Sequence, residues 1–510
     1  MLRFIALGFA VLICLFADQD GGDTVSNGLL SDEGLSAWKA LLHYKGEASV
    51  IGAKSPFFIS PNGHGDPIVE LNAAIEALKN DPNARCTYPA RLDFLLKSGV
   101  ITISDLPGAT CEEYDEYVRK VPFDRVYIVF AAEDHSAAES QMGHTIVKIA
   151  GEDENNTTRE HSFSFMALMS ENGNLTRYIS AVWSGTEGSY VLAPYSKTVQ
   201  TYIYGEKRSL WEFELNMSDE AKNRLKKHLW ELKGTPINYQ FITHNCNTAI
   251  EAVLNAVDQN FADNKHLFFA TPTEYLKLLQ ERGLIKSVSV RPSEIDRAYF
   301  ARGRAFYPLD APNASRALIE GFDGGFRLSL MPTYRDMRSV ADASSAESEN
   351  KLTEIIARYE DSEARLETLN LIAMKTIADY KTTDASRLFR LGVEESAGDR
   401  LSPFFEWGRG LGVSPFDGAI AYVMPRIGFA QSKKPNLYAA AEAGAVVRIG
   451  DYAKAIVSYE RYFDGDGDYR AFNERLNAYL TIAVSGEWDI RAGYEKRLDG
   501  RVLIGTSLYF

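Results

Sequence analysis

Apolar residues recur at helical spacing along the first part of the chain. Leu35-Ser36-Ala37-Trp38-Lys39-Ala40-Leu41-Leu42 and Leu71-Asn72-Ala73-Ala74-Ile75-Glu76-Ala77-Leu78 both repeat every three and four positions, so residues 30–120 read mainly as helix. From Arg125 to Ala131 the pattern changes to short apolar runs of strand length, followed by Thr145 to Ile149, His161 to Met166, Tyr178 to Trp183 and Val199 to Tyr204. Helices then return. Ser218 can cap a helix with Asp219 and Glu220 in its first turn, a stripe of Ala221, Leu225, Leu229 and Leu232, and Gly234 at its end. Cys246 opens another, with Ile250, Val253, Leu254 and Val257 on its buried side. Residues 120–290 are therefore expected to be α+β.

Beyond about residue 315 the period becomes two. Leu437, Ala439, Ala441, Ala443, Ala445, Val447 and Ile449 oppose Asn436, Glu442, Gly444 and Arg448. The same alternation runs through Leu476 to Val484, Trp488 to Tyr494 and Val502 to Phe510. A soluble sandwich would alternate in the same way. An apolar face of Ala, Val, Leu and Ile, aromatic residues near strand ends and the terminal Phe510 point instead to a membrane barrel of about 10–12 strands. Closure would also remove the edges that so many long strands would otherwise expose.

A chain of 510 residues is too long for a single core. Phe4 to Phe16 carries no charge and follows Arg3, which reads as a secretory signal peptide over residues 1–17. Ile13 stands where a lipid attachment site at Cys14 would need a small residue. The expected organisation is a helical segment over 18–120, an α+β domain over 121–300 and an antiparallel β-barrel over 315–510. A formal net charge of −14 leaves no basic footprint for nucleic acid. Without Cys14, an oxidising compartment would find only Cys86, Cys111 and Cys246. Cys86 and Cys111 flank one short helix and make the economical disulfide, which leaves Cys246 as a free thiol.

Cys246 at a helix N-terminus meets unpaired N–H groups that stabilise a thiolate, whose reactivity makes it a candidate nucleophile. A buried core cysteine would sit on the same apolar stripe. His144 begins an apolar strand after Gly143 and is the candidate base, although a structural histidine would fit there too. His161 starts the next strand and could orient the base. His244 lies two residues from Cys246, a separation that need not point the two together. Asp464-Gly465-Asp466-Gly467-Asp468 lacks the pattern of an EF-type calcium loop and reads as a hairpin turn. No metal or cofactor is called for.

The ordered segments Gly143-His144-Thr145, Arg208-Ser209-Leu210-Trp211-Glu212, His228-Leu229-Trp230-Glu231-Leu232, Tyr239-Gln240-Phe241 and Asn245-Cys246 resemble the Lnb N-terminal periplasmic domain family over about residues 120–260. The flanks, a helical segment carrying Cys86 and Cys111 and a C-terminal barrel, look like that family's usual architecture. The resemblance implies a circularly permuted papain-like α+β fold, with the histidine strand before the cysteine helix. It also implies Cys246 as nucleophile, His144 as base and His161 in the place of the orienting residue. The family takes its name from lipoprotein N-acyltransferases, so the implied chemistry is acyl transfer, or amide or ester hydrolysis, through a thioester at Cys246. Lipid or lipoprotein acyl groups are the implied substrates, and outer-membrane lipid the implied surroundings. Unlike those N-acyltransferases, this chain ends in a barrel rather than helical spans, which puts the lipoprotein substrate in question. The competing reading is a non-catalytic barrel that anchors a periplasmic binding module.

Overall fold

A computed structural model describes residues 28–133, 142–167, 185–240, 244–262, 271–300, 307–340, 347–381, 386–396, 400–431, 434–464, 473–497 and 500–510. The signal segment, the strand expected over Tyr178 to Trp183 and most of the Asp464–Asp468 turn lie outside these residues. The chain forms two compact units, one built on residues before Ser293 and the other on the barrel.

The first unit opens with helices α1 (Asp32–Leu41), α2 (Pro67–Asn80), α3 (Pro89–Lys97) and α4 (Glu112–Lys120). Ser31 caps α1 and Asp66 caps α2, and Leu35, Trp38, Leu41, Leu71, Ala74 and Leu78 are buried. Cys86 and Cys111 are joined by a disulfide, with Cα atoms 5.2 Å apart.

A seven-stranded antiparallel sheet follows: β1 (Arg125–Ala131), β2 (His144–Glu152), β3 (Thr158–Ala167), β4 (Thr186–Pro194), β5 (Leu210–Leu215), β6 (Pro236–Tyr239) and β7 (Ile285–Arg291). Their spatial order is β6-β4-β3-β2-β1-β5-β7. β2 lies at the centre and is buried along nearly its whole length, Lys148 included. One of its faces packs with Val129, Tyr195, Tyr202, Ile203 and Leu210.

The segment expected as a strand over Val199 to Tyr204 is helical. Helix α5 (Tyr195–Val199) runs into a π-helical turn, Gln200–Gly205. Tyr195, Tyr202 and Ile203 all reach the core from one side of this coil, a spacing that alternation cannot satisfy. His161 is the fourth residue of β3 rather than its first.

Helix α6 (Asp219–Leu232) has the expected Ser218 cap and buries Ala221, Leu225, His228, Leu229 and Leu232. Helices α7 (Cys246–Asn255) and α8 (Pro272–Glu281) complete the unit, and α7 packs on β2 and β3. The helical segment is locked onto α6. Arg91 is fully buried with Glu70 at 2.8 Å and Glu231 at 3.5 Å. His43 meets His228 through their Nε2 atoms at 2.9 Å, and Trp230 donates to the Cys86 carbonyl at 2.8 Å.

The second unit contains strands β8 (Arg316–Phe322), β9 (Gly325–Met331), β10 (Glu347–Glu360), β11 (Glu363–Ile377), β12 (Ser386–Ser396), β13 (Arg400–Phe416), β14 (Ala419–Gln431), β15 (Pro435–Ile449), β16 (Ala453–Asp464), β17 (Glu474–Ala483), β18 (Trp488–Lys496) and β19 (Gly500–Tyr509). Each pairs antiparallel with the next, and β19 returns to β8, which closes a barrel of 12 strands. The short strand Thr333–Arg335 adds to β10. The apolar face expected from the alternation points outward: Leu437, Ile427, Ile490 and Ile504 are exposed, while Glu406, Arg426 and Arg491 on the other face are buried. A soluble sandwich would have buried the first set. This inversion is the signature of a barrel whose outer surface meets lipid.

Candidate active site

Cys246 is the first residue of α7. The Asn245 side chain caps the helix by accepting from the amides of Asn247 and Thr248 at 2.9 and 3.0 Å. This fixes the first turn, so that the backbone N–H groups of Cys246 and Asn247, the latter shared with the cap, and that of Thr145 on the neighbouring strand all favour a sulfur anion. Burial nevertheless dominates and pushes the Cys246 thiol up, against the pull of those amides and of the Arg208 charge. The low thiol pKa expected from the helix terminus alone is therefore corrected: the sulfur is almost wholly enclosed, and desolvation outweighs the dipole.

His144 is the first residue of β2, turned into the strand by Gly143, whose φ of 81° suits glycine. Its ring stacks on Tyr202 with centroids 6.0 Å apart. Burial, assisted by Arg208, lowers its pKa to about 3 and keeps the imidazole neutral. Its Nε2 is buried and has no hydrogen-bond partner among the described residues.

The starts of β2 and α7 are joined directly, because the Thr145 hydroxyl donates to the Asn247 side-chain oxygen at 3.3 Å. His144 and Cys246 each adjoin a member of that pair. Sequence reasoning had given no role to Thr145, Tyr202, Arg208 or Asn247. Arg208 donates to Glu206 at 2.7 Å and to the Ala131 carbonyl at 3.2 Å, and its guanidinium lies 4.9 Å from the centre of the Tyr202 ring. Arg208 did stand in one of the segments that carried the family resemblance, and that was the available signal.

His161 is elsewhere. It pairs in register with Ile149, five positions along β2 from His144, which at ~3.3 Å per residue is roughly 17 Å away. It lines a cleft with Arg159, Tyr195 and Arg291. The geometry thus removes it from the role of orienting His144. His244 closes a small antiparallel bridge with Gln240 just before α7. Further along β2, buried Lys148 is held by Glu160 at 2.7 Å and Glu212 at 2.8 Å, an ionic knot that ties β2, β3 and β5 together.

Comparison with known families decides what this domain is similar to. Residues 113–282 match the Lnb N-terminal periplasmic domain. Residues 33–98, the start of the helical segment, match a domain of unknown function, DUF7843. The curated proteins return no match. Solved structures that match include the KdgM porin, at 9% identity and a TM-score of 0.26 over 38% of this chain and 98% of that one. OmpT of Vibrio cholerae matches at 8% identity and a TM-score of 0.19 over 38% of this chain and 95% of that one. The outer membrane channel DcaP of Acinetobacter baumannii matches at 10% and 0.21, over 38% and 95%. These scores are too low to carry an argument, and the barrel assignment stands on its closed register and inverted faces. With an Lnb-type domain described as periplasmic beside a barrel of this kind, the protein is an outer-membrane barrel carrying a periplasmic domain.

Proposed function

We propose that the Lnb-type domain is a thiol-dependent acyltransferase or amide/ester hydrolase working through an acyl thioester on Cys246. The observation that carries this reading is the cradle of three backbone N–H groups, from Thr145, Cys246 and Asn247, around one enclosed sulfur, with a buried imidazole on the adjoining strand end. The order of the histidine strand and the cysteine helix supports a permuted papain-like arrangement.

In this mechanism both groups rest neutral, since burial disfavours imidazolium and thiolate alike. The sulfur attacks the acyl carbonyl while His144 takes the thiol proton, so charge moves together with bond formation. The carbonyl electron pair shifts to oxygen, where the backbone N–H groups receive it. The C–O or C–N bond then breaks, and the leaving group recovers the proton from His144. Water or an acceptor amine or hydroxyl next attacks the thioester and regenerates the thiol. A barrel placed in lipid makes lipid or lipoprotein acyl groups the natural donors. Arg208 stabilises sulfur anion while opposing imidazolium, which favours proton departure from Cys246 over a standing ion pair.

The enclosed thiol and the weakly basic imidazole also favour the competing reading, a binding module displayed on a barrel. Acyl trapping separates the two. Folded protein incubated with an activated acyl ester should gain one acyl mass on the Cys246 peptide, and hydroxylamine should release it. Cys246→Ser should lose the adduct, and His144→Ala should form it at least ~100-fold more slowly. An unmodified Cys246 peptide, with Arg208 and His144 variants indistinguishable from wild type, would sink the catalytic reading.

A further inference from the structure

The barrel interior is crowded with side chains. Segment Asp336–Val340, which follows the short strand beside β10, turns into the lumen and is buried there. Asp336 is gripped by Arg316 of β8 and, at 2.8 Å, by Arg491 of β18. Met337 packs into an apolar collar of Ile377, Leu388, Ile420, Tyr422, Val446 and Ile456. Its carbonyl accepts from Lys454 at 3.2 Å, and Arg338 lies over the Tyr479 ring at 3.9 Å. Ser339 reaches the Tyr509 hydroxyl at 3.2 Å. Four successive residues of the segment are thus tied to four or more different staves.

Ion pairs span the space beside this segment. Glu347 of β10 bonds Lys454 of β16 at 2.9 Å, six strands around a ring of 12 and therefore on the opposite wall. Lys375 of β11 crosses to Glu442 of β15 at 2.5 Å. Nearer the other end, Glu367 of β11 meets Arg497, just beyond β18, at 2.9 Å, and Arg327 of β9 reaches Glu495 of β18 at 3.2 Å. The residues around the remaining void include nine Arg or Lys and nine Asp or Glu. A balanced set sets up no single-sign field of the kind that selects ions in a conducting pore. Direct side-chain pairs from wall to wall cross this void and interrupt the section that a solute would need.

We propose that the barrel is a sealed anchor, with Asp336–Val340 as a built-in plug held by a cross-lumen ionic lattice. Its role is to hold the chain in the membrane and carry no solute.

Full-length protein reconstituted into lipid bilayers tests this, with liposome flotation confirming insertion. Wild type should give no stepwise conductance, and the pair Asp336→Ala with Glu347→Gln should produce steps. Regular open-channel steps from wild type would overturn the sealed lumen, and a folded but silent double variant would overturn the plug. Because that variant can fail to fold, Met337→Cys supplies a second reading. A charged thiol reagent should label it at least 100-fold more slowly than Tyr452→Cys in the exposed β15–β16 turn, and comparable rates would overturn the proposal.

Discussion

In the Lnb-type domain the central strand buries Ile146, Val147 and Ile149, whereas in β15 of the barrel the buried positions include Tyr438, Ala440 and Glu442 and the exposed ones include Leu437, at 75% of its possible surface. Both regions alternate or cluster by the same backbone geometry. They differ in which solvent lies on each side. The domain deals with buried titratable groups by keeping several neutral: His43 and His144 are both held to about 3, and burial is the first cause for each. The barrel instead keeps charge inside and pairs it, so that Arg426 touches Glu406, Glu442 and Glu460 at once. A desolvated charge is tolerable only with a partner, and the barrel's interior supplies partners in number.

The sharpest way to break this contrast is to unpair a charge in the domain's own buried ionic knot. Arg91→Ala leaves Glu70 and Glu231 facing each other without a cation and should cost ~3–5 kcal/mol in urea unfolding. A loss under ~1 kcal/mol would mean that water enters that site. Next in size is the outer face of the barrel. Ala441→Arg, near the middle of β15, should cost ~2–4 kcal/mol in lipid, since a cation there meets hydrocarbon. A cost near zero would show that this face is wet.

Acid sharpens the comparison from the other side. His43, His144 and His228 have folded pKa values below their ordinary 6.5, so the unfolded chain binds protons first as pH falls. His43 and His144 each contribute stability that is complete above about 6.5 and is lost, at ~1.4 kcal/mol per pH unit, on the way down toward about 3, and His228 acts in the same direction. Glu231, pushed up to about 7 by burial, acts oppositely from its ordinary 4.5 upward and offsets about one histidine there. Protection of the α6 amides, taken against the intrinsic exchange rate at each pH, should therefore fall between pH 6 and pH 4, and His43→Asn should flatten the slope. The smallest effect concerns the site itself. Asn245→Ala removes the cap of α7 and should cost ~0.5–2 kcal/mol, with looser placement of Cys246 read as faster alkylation.

Local chemistry made much of this legible. Ser218 and the leucine stripe of α6 declare that helix within a few residues, and the two-residue period of β15 and β18 needs only their own sequence. The Cys86–Cys111 pairing followed from three cysteines and one short helix. What stayed hidden depends on contacts far apart in the chain. Val199 to Tyr204 looks extended until β1 and β2 give Tyr195 and Tyr202 a common surface. His161 appeared to neighbour His144 because strand register, which places it opposite Ile149, is not written in either strand. The thiol's direction of shift was missed for the same reason, since the helix terminus is local while the burial that overrides it is assembled by β2, α5 and α7 together.

Closure of the barrel has a consequence for how the protein is made. Eleven of its 12 pairings join strands adjacent in sequence, and one joins the ends, with Tyr509 opposite Arg316 and the Phe510 amide donating to the Ser315 carbonyl at 3.0 Å. Hairpins can form in microseconds as the chain emerges, but the seam must wait for its last strand and for the slow search that closes a long loop. Until then β8 and β19 present unpaired edges able to recruit other chains. The interval before the seam forms is therefore when this protein is most prone to aggregate, and when an escort holding those two edges apart from other chains would matter most.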